Sequence, residues 1–149
     1  MCIYVKKSAI IISFIIVIGG FLTFLMTWRN IGFSNHFIGA WLSSFALCVL
    51  CIAPIGGVIS IVTNSLVNKV FYTLSMTQKN IVFGFIMAVV MESIMAIVTT
   101  INLHGFLILS EFIALWGTTF ISALPAGLVI SILMSLVIKP KLAVFWAKA

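Results

Sequence analysis

Pro54-Ile55-Gly56-Gly57-Val58-Ile59-Ser60 returns as Pro125-Ala126-Gly127-Leu128-Val129-Ile130-Ser131, a P-x-G-x-V-I-S pattern repeated at a spacing of 71. Phe14 with Phe85 and Ile61 with Ile132 keep the same offset. With one residue allowed in the turn, Asn30 aligns with Asn102. Self-similarity at a fixed period is the mark of a duplicated structural unit. The expected units are residues 1–75 and 76–149, each a hairpin of two apolar helices. Because each unit crosses twice, the copies share one orientation and form parallel repeats about an axis along the membrane normal. A four-helix bundle with the proline-bearing helices near that axis is the simplest packing.

The apolar stretches around the repeat have membrane-crossing length. They run over about residues 8–28, 37–67, 81–101 and 106–138. The first and third just span a hydrocarbon core of about 30 Å, whereas the second and fourth exceed it and are predicted to tilt or kink. Pro54 and Pro125 remove a backbone hydrogen bond within the long stretches, so both are expected kinks. Composition agrees: the 149-residue chain is 64% hydrophobic and 7% charged, with a mean hydropathy of +1.38. A soluble domain is about 25% charged, so the expected class is an all-α membrane protein with four transmembrane helices, its first partner the lipid bilayer.

The charges report orientation. Lys6, Lys7, Lys69, Lys79, Lys139, Lys141 and Lys148 fall on one side of the four stretches, against Arg29 on the other. The positive-inside rule then puts both termini in the cytoplasm, as in a multi-pass protein of a bacterial inner membrane. The net charge of +6 is accordingly a topological signal and no nucleic-acid partner is expected. The first apolar run, which continues to about Trp28 with no A-x-A pattern after it, is expected to remain as a helix, not to be cleaved as a signal peptide. Trp28 and Trp41 are placed at the outer interface, Tyr72 and Trp146 at the inner one, and Trp116 deeper, where it needs another explanation, such as packing.

Asn30, Phe37, Trp41 and the stretch around Pro54 resemble a bacterial family of small inner-membrane hairpins catalogued as a domain of unknown function. The second half repeats the pattern with drift, carrying Phe112 where Trp41 aligns and Trp116 nearby. The resemblance implies a membrane hairpin and no reaction. In architecture alone, two tandem two-helix units are also similar to the proteobacterial antimicrobial compound efflux transporters, whose motifs are not found here.

Few side chains can carry chemistry. Glu92 lies near the middle of the third stretch, where a charge costs about 2.5–3.5 kcal/mol. A lone acid there is expected to be partly neutral, or to face a partner or a water-filled gap. Gly84, Ala88, Glu92, Ala96 and Thr100 recur every four residues, a small-residue stripe that should face another helix. Either Glu92 exchanges a proton for a cationic or lipophilic substrate, or it is a neutral acid bonded across a helix pair. Its equivalent in the first copy is Phe21.

After the prolines, Gly57, Ser60 and Asn64 form one polar helix face and Gly127, Ser131 and Ser135 another. These faces are expected either to meet in close packing or to line a vestibule. Arg29 and Glu111 form a candidate outer gate, with independent solvated charges as the alternative. His36 and His104 fall in the outer turns. Cys48-Val49-Leu50-Cys51 matches C-x-x-C, but an apolar helix with no flanking cation favours packing over redox chemistry. The chain has no Asp, no P-loop, no H-E-x-x-H and no Ser/His/Asp set. No enzyme activity, cofactor or metal is expected. Two functions are predicted: a small proton-coupled transporter, helped by forming a homodimer, or a non-catalytic accessory or scaffold subunit bound to another membrane protein.

Overall fold

A computed structural model describes residues 2–134 and Leu136, without the side chains of 2–12, 14, 15 and 53. Ser135, Lys139, Lys141, Trp146 and Lys148 lie outside the described residues, as do the side chains of Lys6 and Lys7. Among the described residues the protein is all-helical, with α1 at Cys2–Ile31, α2 at Phe37–Val70, α3 at Met76–His104 and α4 at Leu109–Leu133. The four helices follow the four apolar stretches in order.

Local chemistry sets their ends. Gly32 and Gly105 take left-handed backbones, φ 62° and 70°, immediately after α1 and α3. Their N–H groups bond Trp28 O at 2.9 Å and Ile101 O at 2.8 Å, which satisfies carbonyls that each helix end would leave open. Ser75 and Gln78 form a reciprocal capping box at the start of α3, with Ser75 N donating to Gln78 Oε1 at 2.9 Å.

Two helices, α3 and α4, are each long and apolar enough to cross a membrane, where four were expected. α2 reaches this measure as a bent pair, because Phe37–Ile52 and Pro54–Val70 meet at 51°. α1 contributes the shorter apolar stretch Ile16–Ile31. Pro54 therefore kinks its helix. Pro125 does not divide α4, which runs through it as one span. Both helices pack along α3 and α1, so the two prolines differ in outcome within similar helix surroundings.

The bundle order is α1, α2, α3, α4 around a ring, with α1 and α3 also touching across it. α2 and α4 do not touch among the described residues. The expected placement of the proline-bearing helices at the centre is thus reversed. α1 and α3 touch across the ring, and their small residues face the flanking helices, Gly19 and Gly20 of α1 lying against Phe45 and Trp41 of α2.

Packing is inverted relative to a soluble domain. The fully buried side chains include Thr23, Thr27, Ser44, Thr99, Thr100 and Thr119, whereas Leu50, Val58, Ile61 and Val62 are exposed. A buried cluster of Leu22, Met26, Cys48, Met95, Ala96 and Ala123 fills the rest of the centre. Contiguous apolar surface on this scale is a liability in water and the ordinary outside of a protein in lipid. This is a helical protein compatible with a membrane, two of whose helices have the length and composition to cross one.

Candidate functional site

α3 presents Gly84, Ala88, Glu92, Ala96 and Thr100 as one buried stripe. Side chains four apart share a helix face, and α4 lies against it. A Cβ built on Gly127 would meet Glu92, 2.8 Å from its Cδ and 2.9 Å from its Cγ. Glycine is required here for a specific reason: the acid occupies the space that any larger residue would fill. In an antiparallel pair this contact fixes the register. It puts Ala96 level with Ala123 and Thr100 level with Thr119, one turn apart at each step. All of these are buried.

Glu92 is only 2% exposed, and its Oε2 has no hydrogen-bond partner among the described residues. A buried polar atom without a partner costs about 1–3 kcal/mol and calls for an explanation. Two further oxygens share that condition, Thr27 Oγ1 on α1 and Thr100 Oγ1 on α3.

Toward the end that carries the 32–36 and 105–108 turns, two asparagines pair polar groups across helices. Asn30 Nδ2 donates to Thr119 Oγ1 and to Met26 O, both at 2.8 Å. Its Oδ1 lies 3.1 Å from His104 Nε2. With both amide hydrogens used, Oδ1 accepts and His104 donates through Nε2. Asn102 Nδ2 donates to Ser43 Oγ at 2.7 Å and to Ser44 Oγ at 2.9 Å. Each asparagine thus ties the first helix of its hairpin to the second helix of the other.

The remaining predicted sites are placed as follows. Gly57 and Asn64 are exposed and Ser60 half-buried, on a helix that never reaches α4, so this face and that of Gly127 and Ser131 do not meet. Gly56 is the residue of the pair that packs, its added Cβ falling 3.2 Å from Met91 Cε. One residue is a rotation of about 100° on a helix, which turns Gly57 away from α3. Arg29 and Glu111 are both exposed and form no ion pair among the described residues. Each sits instead at a helix end of opposite partial charge, Arg29 in the last turn of α1 and Glu111 in the first turn of α4. No group of three metal-binding side chains occurs among the described residues. Cys48 is buried and its thiol lies 3.9 Å from Thr99 Oγ1, while Cys51 is half-buried.

The tryptophans have structural work. Trp41 Nε1 donates to Gly20 O at 3.0 Å, and Trp116 Nε1 to Ser93 O at 3.3 Å with its ring stacked on Phe120. That accounts for the depth of Trp116: its N–H finds an acceptor on the neighbouring helix, and its ring packs beside the core.

Residue spacing does not single out the layer formed by Thr23, Thr27, Thr99 and Thr119. The i, i+4 pair Thr23 and Thr27 is a signal of it, but threonine in an apolar helix commonly bonds its own backbone. Thr23 does so here, donating to Gly19 O at 2.7 Å.

The aromatic contacts of the first hairpin complete the geometry. Phe24 meets Phe37 edge-on with ring centroids 5.1 Å apart and Trp41 at 5.9 Å. Residues 6–71 match the domain of unknown function DUF2798. The match covers α2 entirely and most of α1. In this DUF2798 stretch Asn30, Phe37, Trp41 and Pro54 bind, pack or bend helices. No curated protein and no solved structure matches the chain.

Proposed function

We propose that the chain is a four-span protein of a bacterial inner membrane that moves lipophilic or cationic compounds in exchange for a proton carried by Glu92. It is built as two parallel hairpin repeats with both termini in the cytoplasm. The ring order of the helices, the matching left-handed turns at Gly32 and Gly105, and the reciprocal crossing of Asn30 and Asn102 support the duplication. Kinked at Pro54, α2 serves as one crossing and α1 as another.

The observation that carries the reading is Glu92 itself. An acid kept as glue between helices would be expected to place its oxygens on donors or acceptors of the neighbouring helix. Here Oε2 has none among the described residues, and the side chain rests on the bare backbone of Gly127. An intramembrane acid without a structural partner is a functional group by default.

The test is proton release from purified protein in detergent, on addition of lipophilic cations and polyamines to wild type and Glu92→Gln. Ligand-dependent release that vanishes in the Gln variant is expected. Silence in wild type, with both proteins folded, overturns the reading. It would favour an accessory or scaffold subunit with no catalytic role, which the close filling of space around Glu92 and the exposed apolar face of α2 support.

A further inference from the structure

Buried hydroxyl groups are distributed unevenly about Glu92. Among the described residues, Thr23, Thr27, Ser44, Thr99, Thr100 and Thr119 lie between Glu92 and the end carrying the 32–36 and 105–108 turns; Thr63 lies on the other side. On that other side the buried residues of α3 are Gly84 and Ala88, which offer no polar side-chain atom. The layer reaches the surface through Thr119, Asn30 and His104, joined by hydrogen bonds of 2.8 and 3.1 Å. Level with Thr119 it takes in Thr100, and on α1 it takes in Thr27, whose Oγ1 atoms are both buried and unpartnered.

Unpartnered buried hydroxyls are the usual seats of internal water, which satisfies two to four polar groups at once. From Thr100 to Glu92 is two turns, about 12 Å. The seam between them carries Ala96 and Ala123, each obstructing with a single methyl group. Among the described side chains, the titratable groups on the surrounding helices are His104 and Lys79 on α3 and Cys48, Cys51 and Lys69 on α2, together with the exposed Arg29 on α1 and Glu111 on α4.

Resting on the proton-exchange reading of Glu92, we propose that this hydroxyl layer holds water and is the route by which Glu92 is loaded from the two-turn end. A hydronium ion at that end gives up a proton. Hydrogen-bonded waters along Thr27 and Thr100 pass it inward, and the Glu92 carboxylate becomes the carboxylic acid with one water left behind. Release to the same side, as in isotope exchange without transport, reverses these steps. Thr27 and Thr100 act by positioning water.

Hydrogen–deuterium exchange of the Glu92 carboxyl tests this in the full chain reconstituted in lipid vesicles. The chain has two acidic residues, Glu92 and the exposed Glu111, so the infrared carboxylic C=O band that disappears in Glu92→Gln is assigned directly. At acidic pH, transfer to deuterated buffer shifts this band at a measurable rate. Thr27→Val and Thr100→Val, which keep the shape and remove the hydroxyl, are expected to slow exchange at least ten-fold. Thr100→Ser is expected to exchange at the wild-type rate, which separates the hydroxyl from packing, and Thr63→Val to change it less than two-fold. Wild-type exchange in both Val variants, or equal slowing in Thr63→Val, overturns the proposal. The readout needs no transported compound. Hydroxyl-dependent exchange with no ligand-dependent proton release would therefore remove the transporter reading and leave the route standing.

Discussion

Gly127→Ala is the sharpest perturbation of this bundle. The new methyl carbon would fall 2.8 Å from Glu92 Cδ and 2.9 Å from Cγ, where ordinary contacts between carbons are about 3.5–4.0 Å. Glu92 is buried, so either its side chain leaves its rotamer or α4 moves off α3. Overpacking of this kind costs about 1–3 kcal/mol. In a Glu92→Ala background the obstacle is gone, and replacing a helical glycine with alanine then gains up to about 1 kcal/mol. The two substitutions should therefore be coupled by about 2 kcal/mol, within the range found for residues in direct contact. Reversible unfolding in mixed micelles, read by circular dichroism on wild type, both single variants and the double variant, gives the cycle. A cost for Gly127→Ala that is the same in both backgrounds within about 0.5 kcal/mol would refute the Glu92–Gly127 contact and the α3–α4 register built on it.

Two further outcomes are expected by the same unfolding measurement. Asn30→Ala removes a bond to Thr119 and one to His104, and at about 0.6 kcal/mol for an average interhelical hydrogen bond should cost about 1 kcal/mol, with Asn102→Ala close behind through Ser43 and Ser44. Gly105→Ala meets no atom within 4 Å, so its cost of about 1–3 kcal/mol comes from the backbone at φ 70°, ψ −156° and should persist in any background that leaves the turn intact.

Part of the candidate site is legible in the sequence. The stripe from Gly84 to Thr100 follows from four-residue spacing, and a lone acid within an apolar run stands out by its cost in hydrocarbon. Which helix covers that stripe does not follow. The sequence offers Gly56, Gly57 and Gly127 after their prolines, yet Gly57 meets open space while Gly127 and its repeat equivalent Gly56 both meet α3, because a face is defined only once a neighbour's position is known. Arg29 and Glu111 mislead for a related reason: opposite charges at one depth suggest a pair, while each is already served by its own helix end and by solvent. The link from Asn30 to Thr119 and His104 joins residues 89 and 74 positions apart, beyond the reach of any local pattern.

Composition and apolar run length determined the helical class and the number and order of helices, because a backbone in hydrocarbon must satisfy its own hydrogen bonds. Glycine positions determined where α1 and α3 end, and Pro54 where α2 bends. Tertiary structure decided that α1 and α3 form the centre, that α4 runs unbroken through Pro125, and that hydroxyls gather on one side of Glu92. Those outcomes depend on which small side chains let two helices approach, and that closeness is a property of pairs of surfaces, which a single helix's spacing does not contain.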